Sequence, residues 1–297
     1  MLYHYTFFDA LTSILRIANT DKGLCFWATR FDCFADKEEY KLGIMAINRL
    51  LPRLEKRYRP DRRIASAFQW EEIQRNETLP YPYVVSFTDR NDNAFMWDKY
   101  ACGGKGIVLE LDDNQRVENE FTSGLVVKRC LYLDEIDDEG LYKEIEEEFF
   151  TASFGLLTGP KKDLAFALLD SYPQLFVALV GRYLLSYVAP RIKGEGYNTE
   201  EETRAILASP RPEMKLLVEQ YEEVINSLSI DTVSYRQRME SEKVRTRASG
   251  DKVYYQEIFL PGSLLKSVYV KDKFLVTKVT DVLVGKGFDG VEVKVVH

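Results

Sequence analysis

Histidine is almost missing from this 297-residue chain, which holds only His4 and His297, so a zinc set or a histidine-rich catalytic centre has almost nothing to draw on. Four cysteines stand far apart, at Cys25, Cys33, Cys102 and Cys130, with no Cys-x-x-Cys pair. That excludes a zinc ribbon or a paired redox motif and leaves free, mostly buried thiols as the expectation; no metal is expected. No apolar run approaches the roughly 18–20 residues of a membrane span, and no charged-then-apolar leader precedes Tyr3. The expectation is therefore a cytoplasmic chain without membrane contact. There is no Gly-x-Ser-x-Gly elbow, and Gly103-Gly104-Lys105-Gly106 lacks the spacing of a P-loop and reads as a turn. Positive charge is in deficit: the net charge of -7 argues against routine duplex binding while leaving a local basic groove open. Internal repeats and low-complexity tracts are absent, which excludes solenoids and linkers.

What is present is an ordinary globular chain, 45% hydrophobic and 29% charged, rich enough in apolar residues to exclude disorder. Its length suits one composite domain over residues 1–297 with a helical insertion. Leu2 to Tyr5 reads as a strand, and Asp9 as the N-cap of a helix over residues 10–17. A buried strand follows at Leu24 to Ala28, then an irregular segment over residues 31–36 and amphipathic helices over 37–54 and 62–75. Residues 83–88 form a strand, 94–100 a short helix, and 105–111 and 125–133 two further strands. From Glu139 to about Ser227 the pattern is helical, a large insertion or subdomain broken near Pro160, Pro173, Pro190 and Pro210. Strand character returns at 253–260 and 264–270, with a short helix near 277–284 and a last strand at 291–296. The expected fold is α+β: a mixed central sheet built from amino-terminal, middle and carboxyl-terminal segments.

On the first strand, period-two alternation puts His4 and Thr6 on one face and Tyr5 on the other. Trp97 and Tyr100 lie one helical turn apart and would line either one cleft or a core stripe. The acidic tracts Glu144 to Glu148 and Glu200 to Glu202 read as solvated faces. Glu240 and Glu242 stand in a basic stretch, Arg236, Arg238, Lys243, Arg245 and Arg247, near Tyr235; the plain reading is a surface ion-pair network. The same stretch is the one place where a phosphate or nucleic acid would dock.

Leu2-Tyr3-His4-Tyr5-Thr6, Val85-Ser86-Phe87-Thr88 with Trp97 and Tyr100 downstream, Lys105-Gly106-Ile107, and Gly287 through Val293 resemble, in order and spacing, the bacterial domain-of-unknown-function 2971 family. That family shows Asn-Asp-Pro and an acidic residue after its second strand, where this chain has Ala35-Asp36-Lys37-Glu38. It also carries a glutamate-rich segment ending in arginine, whose counterpart is placed at Glu240 to Arg245. More distantly, His-x-Thr on the first strand, a later aromatic and a late glutamate are similar to the histidine-tyrosine-glutamate pattern of ADP-ribosyltransferases. That resemblance implies NAD as co-substrate and transfer to an unknown acceptor. His4 and Thr6 would hold the cofactor, Tyr100 or Trp97 would stack on nicotinamide, and Glu242 would be the catalytic carboxylate, with Glu240 and Glu257 as alternatives. A fixed carboxylate suits this chemistry because breaking the nicotinamide–ribose bond builds positive charge on the sugar. The competing expectation is a non-enzymatic protein-interaction module, in stress or defence, that uses the helical region.

Overall fold

The computed structural model describes residues 1–18, 21–36, 38–58, 81–112, 125–155, 171, 183–208, 242–247 and 249–296. Eleven strands join in one mixed sheet whose main path runs β10-β11-β3-β4-β1-β5-β12-β13. Along that path lie β10 (Lys243–Thr246), β11 (Lys252–Pro261), β3 (Asp21–Arg30), β4 (Tyr83–Thr88), β1 (Leu2–Thr6), β5 (Ile107–Leu111), β12 (Leu265–Val270) and β13 (Glu292–Val295). β2 (Leu15–Ala18) adds to β3, β9 (Glu202–Leu207) to β4, and β6 (Leu125–Arg129) to β9. Among the described residues, only the β12–β13 pair of this sheet is parallel. A separate parallel pair joins β7 (Leu131–Tyr132) to β8 (Ile192–Lys193). The chain is α+β, with sheet strands drawn from its beginning, middle and end.

Helices cover both faces. α1 (Phe8–Ile14) and α5 (Phe274–Gly285) pack Leu11, Ile14, Val279 and Leu283 onto a core floored by Leu2, Phe26, Phe87, Leu109, Ala205 and Val268. Burying each such side chain contributes about 1.5–3 kcal/mol. On the opposite face, α3 (Ala94–Tyr100) packs Met96 and Trp97 against Tyr5, Val108 and Tyr269. Its N-cap is Asn93, whose side-chain oxygen accepts from the Met96 amide at 3.2 Å. α2 (Glu38–Tyr58) lies farther along that face, next to the tight turn Ala189–Arg191. α4 (Asp138–Gly155) is tied to the same turn by a buried pair, Arg191 Nη1 to Glu148 Oε1 at 2.7 Å. Among the described residues no helix is long and apolar enough to cross a membrane.

Several local expectations change. The helix expected over 10–17 stops at Ile14, and Asp9 sits in its first turn, the N-cap being Phe7. Leu15–Ala18 becomes β2 because pairing with β3 buries Leu15 completely. Residues 59–80, with the helix expected at 62–75, lie outside the described residues, as do 156–170, 172–182 and 209–241 of the helical insertion. Inside that insertion β9 is a central strand, hydrogen-bonded on both sides to β4 and β6 and buried at all six positions. Glu200, Glu202 and Glu148 are buried, not solvated. Charge patterning misreads them because Glu148 meets Arg191, and Glu200 and Glu202 meet Lys193, on other segments.

Gly43 fixes how closely α2 can approach. A Cβ there would stand 2.0 Å from the carbonyl oxygen of Ala189. Gly43→Ala should therefore destabilise the fold by about 1–3 kcal/mol, although alanine is about 1 kcal/mol the better helix former. Chemical denaturation of the two proteins measures this, and a stabilised variant would show that the close approach is not needed.

Candidate functional site

His4 stands where the sheet forks. β3 pairs with β4 only at Tyr83 and Val84, and β1 only at Thr88, so the stretch of β4 between them has no strand on that side. The imidazole fills the gap. Its Nδ1 hydrogen-bonds the Ser86 carbonyl at 2.9 Å, and its ring lies 5.2 Å from Phe26 and 5.6 Å from Phe87, centroid to centroid. Burial between these rings lowers its affinity for a proton below the ordinary value of 6.5, against the opposing effect of the Ser86 bond. Thr6 follows on the same face at the register of Ile107.

Strand alternation separates the other expected residues from His4. Trp97 meets Tyr5 edge to face at 5.5 Å, on the far side of β1. It is 1% exposed and donates its indole N–H to the Asn91 carbonyl at 2.7 Å. Trp97 is thus a core residue, closed to a stacking nicotinamide. Glu242 does lie on the fork side, where Oε1 accepts from Arg30 Nη1 at 3.0 Å and from the Tyr83 hydroxyl. Tyr83 and Phe87 are four residues apart, about 13 Å along β4. Glu257 faces the outer wing, held by Lys243 at 2.6 Å and Arg16 at 3.1 Å. Glu240 lies outside the described residues. His4, an aromatic and Glu242 do not converge on one cleft.

Tyr100 finds a different carboxylate. Its hydroxyl donates to Glu200 Oε1 at 3.0 Å, and the same oxygen takes Lys99 Nζ at 2.7 Å. The second Glu200 oxygen accepts from Lys193, whose Nζ also reaches Glu202 Oε2 at 2.6 Å. Arg204 grips the Glu202 carboxylate through Nε and Nη2, each at 2.9 Å, and its Nη1 meets both Glu39 at 2.6 Å and the Pro190 carbonyl. Glu202 and Arg204 are i and i+2 on β9, so they share one sheet face while Ala205 joins the core on the other. Tyr132 donates no charge but accepts the Glu202 amide at 2.6 Å, and Tyr197 donates to Asp36 at 3.0 Å. α2, α3, β8, β9 and the turn before β9 therefore meet at one ion network.

Desolvation alone would push the Glu202 carboxyl up, but the Arg204 and Lys193 charges overcome it and hold it at about 2. Glu200 is lowered in the same way, chiefly by Lys193. Burial would strip the proton from Lys193, yet Glu202 keeps it charged well above the usual range. Three carboxylates, Glu39, Glu200 and Glu202, thus face three cations, Lys99, Lys193 and Arg204, and the network is neutral. Among the described residues no group of histidine, cysteine, aspartate and glutamate could hold a metal ion.

No family model, curated protein or solved structure matches the chain. The sequence does contain one overlooked signal. Glu200-Glu201-Glu202-Thr203-Arg204 is itself a glutamate-rich run ending in arginine, the pattern sought at 240–245. It lies beside Tyr100 and, through Arg204, is joined to the start of α2 just after Asp36.

Arg204→Leu would strip buried Glu39 of its cation and leave Glu202 with Lys193 alone, and should cost about 3–5 kcal/mol. Arg90→Leu, which breaks surface pairs with Asp92 and Glu201, should cost far less. Equal losses in denaturant titrations would contradict the network. The stability that Glu200 and Glu202 contribute is complete above about pH 5 and is lost as pH falls toward 2. His4 acts in a higher window: the unfolded chain takes up a proton near 6.5 and the fold does not. Its contribution is therefore whole above about 6.5 and declines below, by up to about 1.4 kcal/mol per pH unit. His4→Gln, which keeps a donor for Ser86, should flatten stability between about pH 7 and 5.5; an unchanged slope would disprove the assignment.

Proposed function

We propose that this chain is a protein-interaction module whose contact surface is the rim of the ion network. The observation that carries this reading is neutrality. With three acids matched by three bases, no group in the network is poised to move a proton or to stabilise a positive charge developing on a substrate. Above the network, Phe95 and Tyr100 are 43% and 37% exposed, and Lys99 lies 5.1 Å and 5.0 Å from their ring centres. Aromatic rings with a cation across them, standing on a rigid polar base, have the make-up of an interface hot spot. The ions beneath hold the rim in shape, so a partner would meet it without ordering cost.

A second reading rests on one contact, the Tyr100 hydroxyl on Glu200. An aromatic beside a carboxylate is the pair that an NAD-dependent ADP-ribosyl transfer needs, with Glu200 in the place expected of Glu242. It would require Glu200 to exchange Lys193 and Lys99 for the ribose. Thermal denaturation with NAD separates the readings: saturation at 100 times Kd would add about 2.7 kcal/mol to the stability of a protein that binds it. The interaction reading expects no shift and no nicotinamide release at millimolar NAD. It also expects a partner in affinity purification that the wild type and His4→Gln retain and the exposed-rim variant Phe95→Ser/Tyr100→Ser loses. Nicotinamide release that Glu200→Gln abolishes would replace it with the transferase.

A further inference from the structure

The outer wing of the sheet, β2-β3-β11-β10, carries cations that the ion network does not use. Register places Arg16 opposite Gly23, Glu257 opposite Trp27, and Lys243 and Arg245 opposite Tyr255 and Val253. Alternation then sets Arg16, Trp27, Tyr255, Glu257, Phe259, Lys243 and Arg245 on a single face. The contacts agree. Glu257 is bridged by Arg16 and Lys243, the Trp27 and Tyr255 rings lie 4.8 Å apart, and Arg245 is 5.0 Å from the Trp27 ring centre.

Charge on this wing is unbalanced. Glu257 is one carboxylate against Arg16, Lys243 and Arg245, and Arg247 adds a fourth cation at the end of β10. Among the described residues Arg245 has no carboxylate partner, and the Arg247 guanidinium donates to the Cys33 carbonyl at 2.8 Å and to no carboxylate. Partial desolvation of the otherwise exposed Arg245 guanidinium and the Arg247 charge both lower it from its ordinary range, as befits a cation lacking a counter-ion. The Trp27 indole N–H also has no acceptor among the described residues. Unpaired donors beside an aromatic face ask for an anion that carries a flat ring. From β10 to β2 is three strand spacings, about 14 Å. Cations spread over that width suit a chain of phosphates and not one phosphate.

We propose that this wing binds single-stranded nucleic acid across its strands, with Arg245, Arg247, Lys243 and Arg16 on successive phosphates and the half-exposed Phe259 and part-buried Trp27 offered to bases. The chain as a whole carries a net charge of -7, which confines the strand to this locally basic patch, while base stacking on a sheet face makes the contact tolerant of sequence. Glu257 weakens it, since its carboxylate lies between the phosphate sites.

Fluorescence anisotropy of a labelled oligothymidine of about 15 nucleotides, at about 50 mM salt, tests this on the full chain. Wild type should bind, with log affinity falling against log salt at a slope of about -2 to -3 for three or four phosphate contacts. Arg245→Ala/Arg247→Ala should weaken binding about tenfold or more and make that slope shallower. Both side chains are exposed, so the circular dichroism spectrum should stay unchanged. Phe259→Ala should weaken binding at unaltered slope, and Glu257→Gln should strengthen it; these two decide the matter if the arginine variant folds poorly. Absence of binding at low salt, binding that the variants leave unchanged, or equally effective competition by thymidine monophosphate would each overturn the proposal.

Discussion

Arg204 lies almost completely out of water with its guanidinium against the Glu202 carboxylate, and the structure over this face of the sheet follows from that contact. A buried ion is tolerable only with partners that satisfy its remaining donors or lone pairs. Arg204 takes Glu39 from α2 and the Pro190 carbonyl from the turn before β8; Glu202 takes Lys193 from β8; Lys193 brings Glu200, which reaches α3 through Lys99 and Tyr100. Each charge commits one more segment to a position. Apolar residues of like volume would stabilise such a site as well or better, so the gain is in specificity of placement. Gly43 belongs to the same logic, since it brings α2 close enough for Glu39 to reach its partner.

The same pairing of charges sets the proton affinities of the network. Groups with strongly displaced proton affinities usually point to catalysis. Here every displacement has a structural cause: Glu202 is held ionised and Lys193 protonated by each other and by Arg204. His4 follows a different physical rule to the same end. It is kept neutral by two phenylalanine rings and spends its hydrogen bond on a carbonyl that the forked sheet leaves without a ladder partner. The aromatic rim of α3 and the basic wing beyond β3 lie outside these interior contacts, at the surface.

Much was readable from the amino-acid order. β-branched and aromatic runs located β1, β4, β5, β11 and β12, and the short helix expected at 94–100 is α3. The α+β class and the sheet drawn from both ends of the chain followed. Residues with local signatures were placed well because their signal lies within a few positions of themselves: His4 shares a face with Thr6, and Tyr5 opposes it.

β9 shows where local reading ends. Glu202-Thr203-Arg204-Ala205-Ile206-Leu207 alternates between an ionic face and an apolar face, both buried, so its charges imitate a solvated helix. No neighbour within the chain reveals that Arg204 will meet Glu39, because 165 positions separate them. By itself the sequence determined β1, β4, β5, β11, β12 and α3 and which side chains of β1 share a face, since periodicity and propensity act over a few residues. Only the tertiary structure decided that Tyr100 pairs with Glu200, that Trp97 and His4 lie on opposite sides of β1, and that the charges at 200–204 are interior. Those outcomes depend on desolvation and long-range pairing, and both exist only once the sheet has formed.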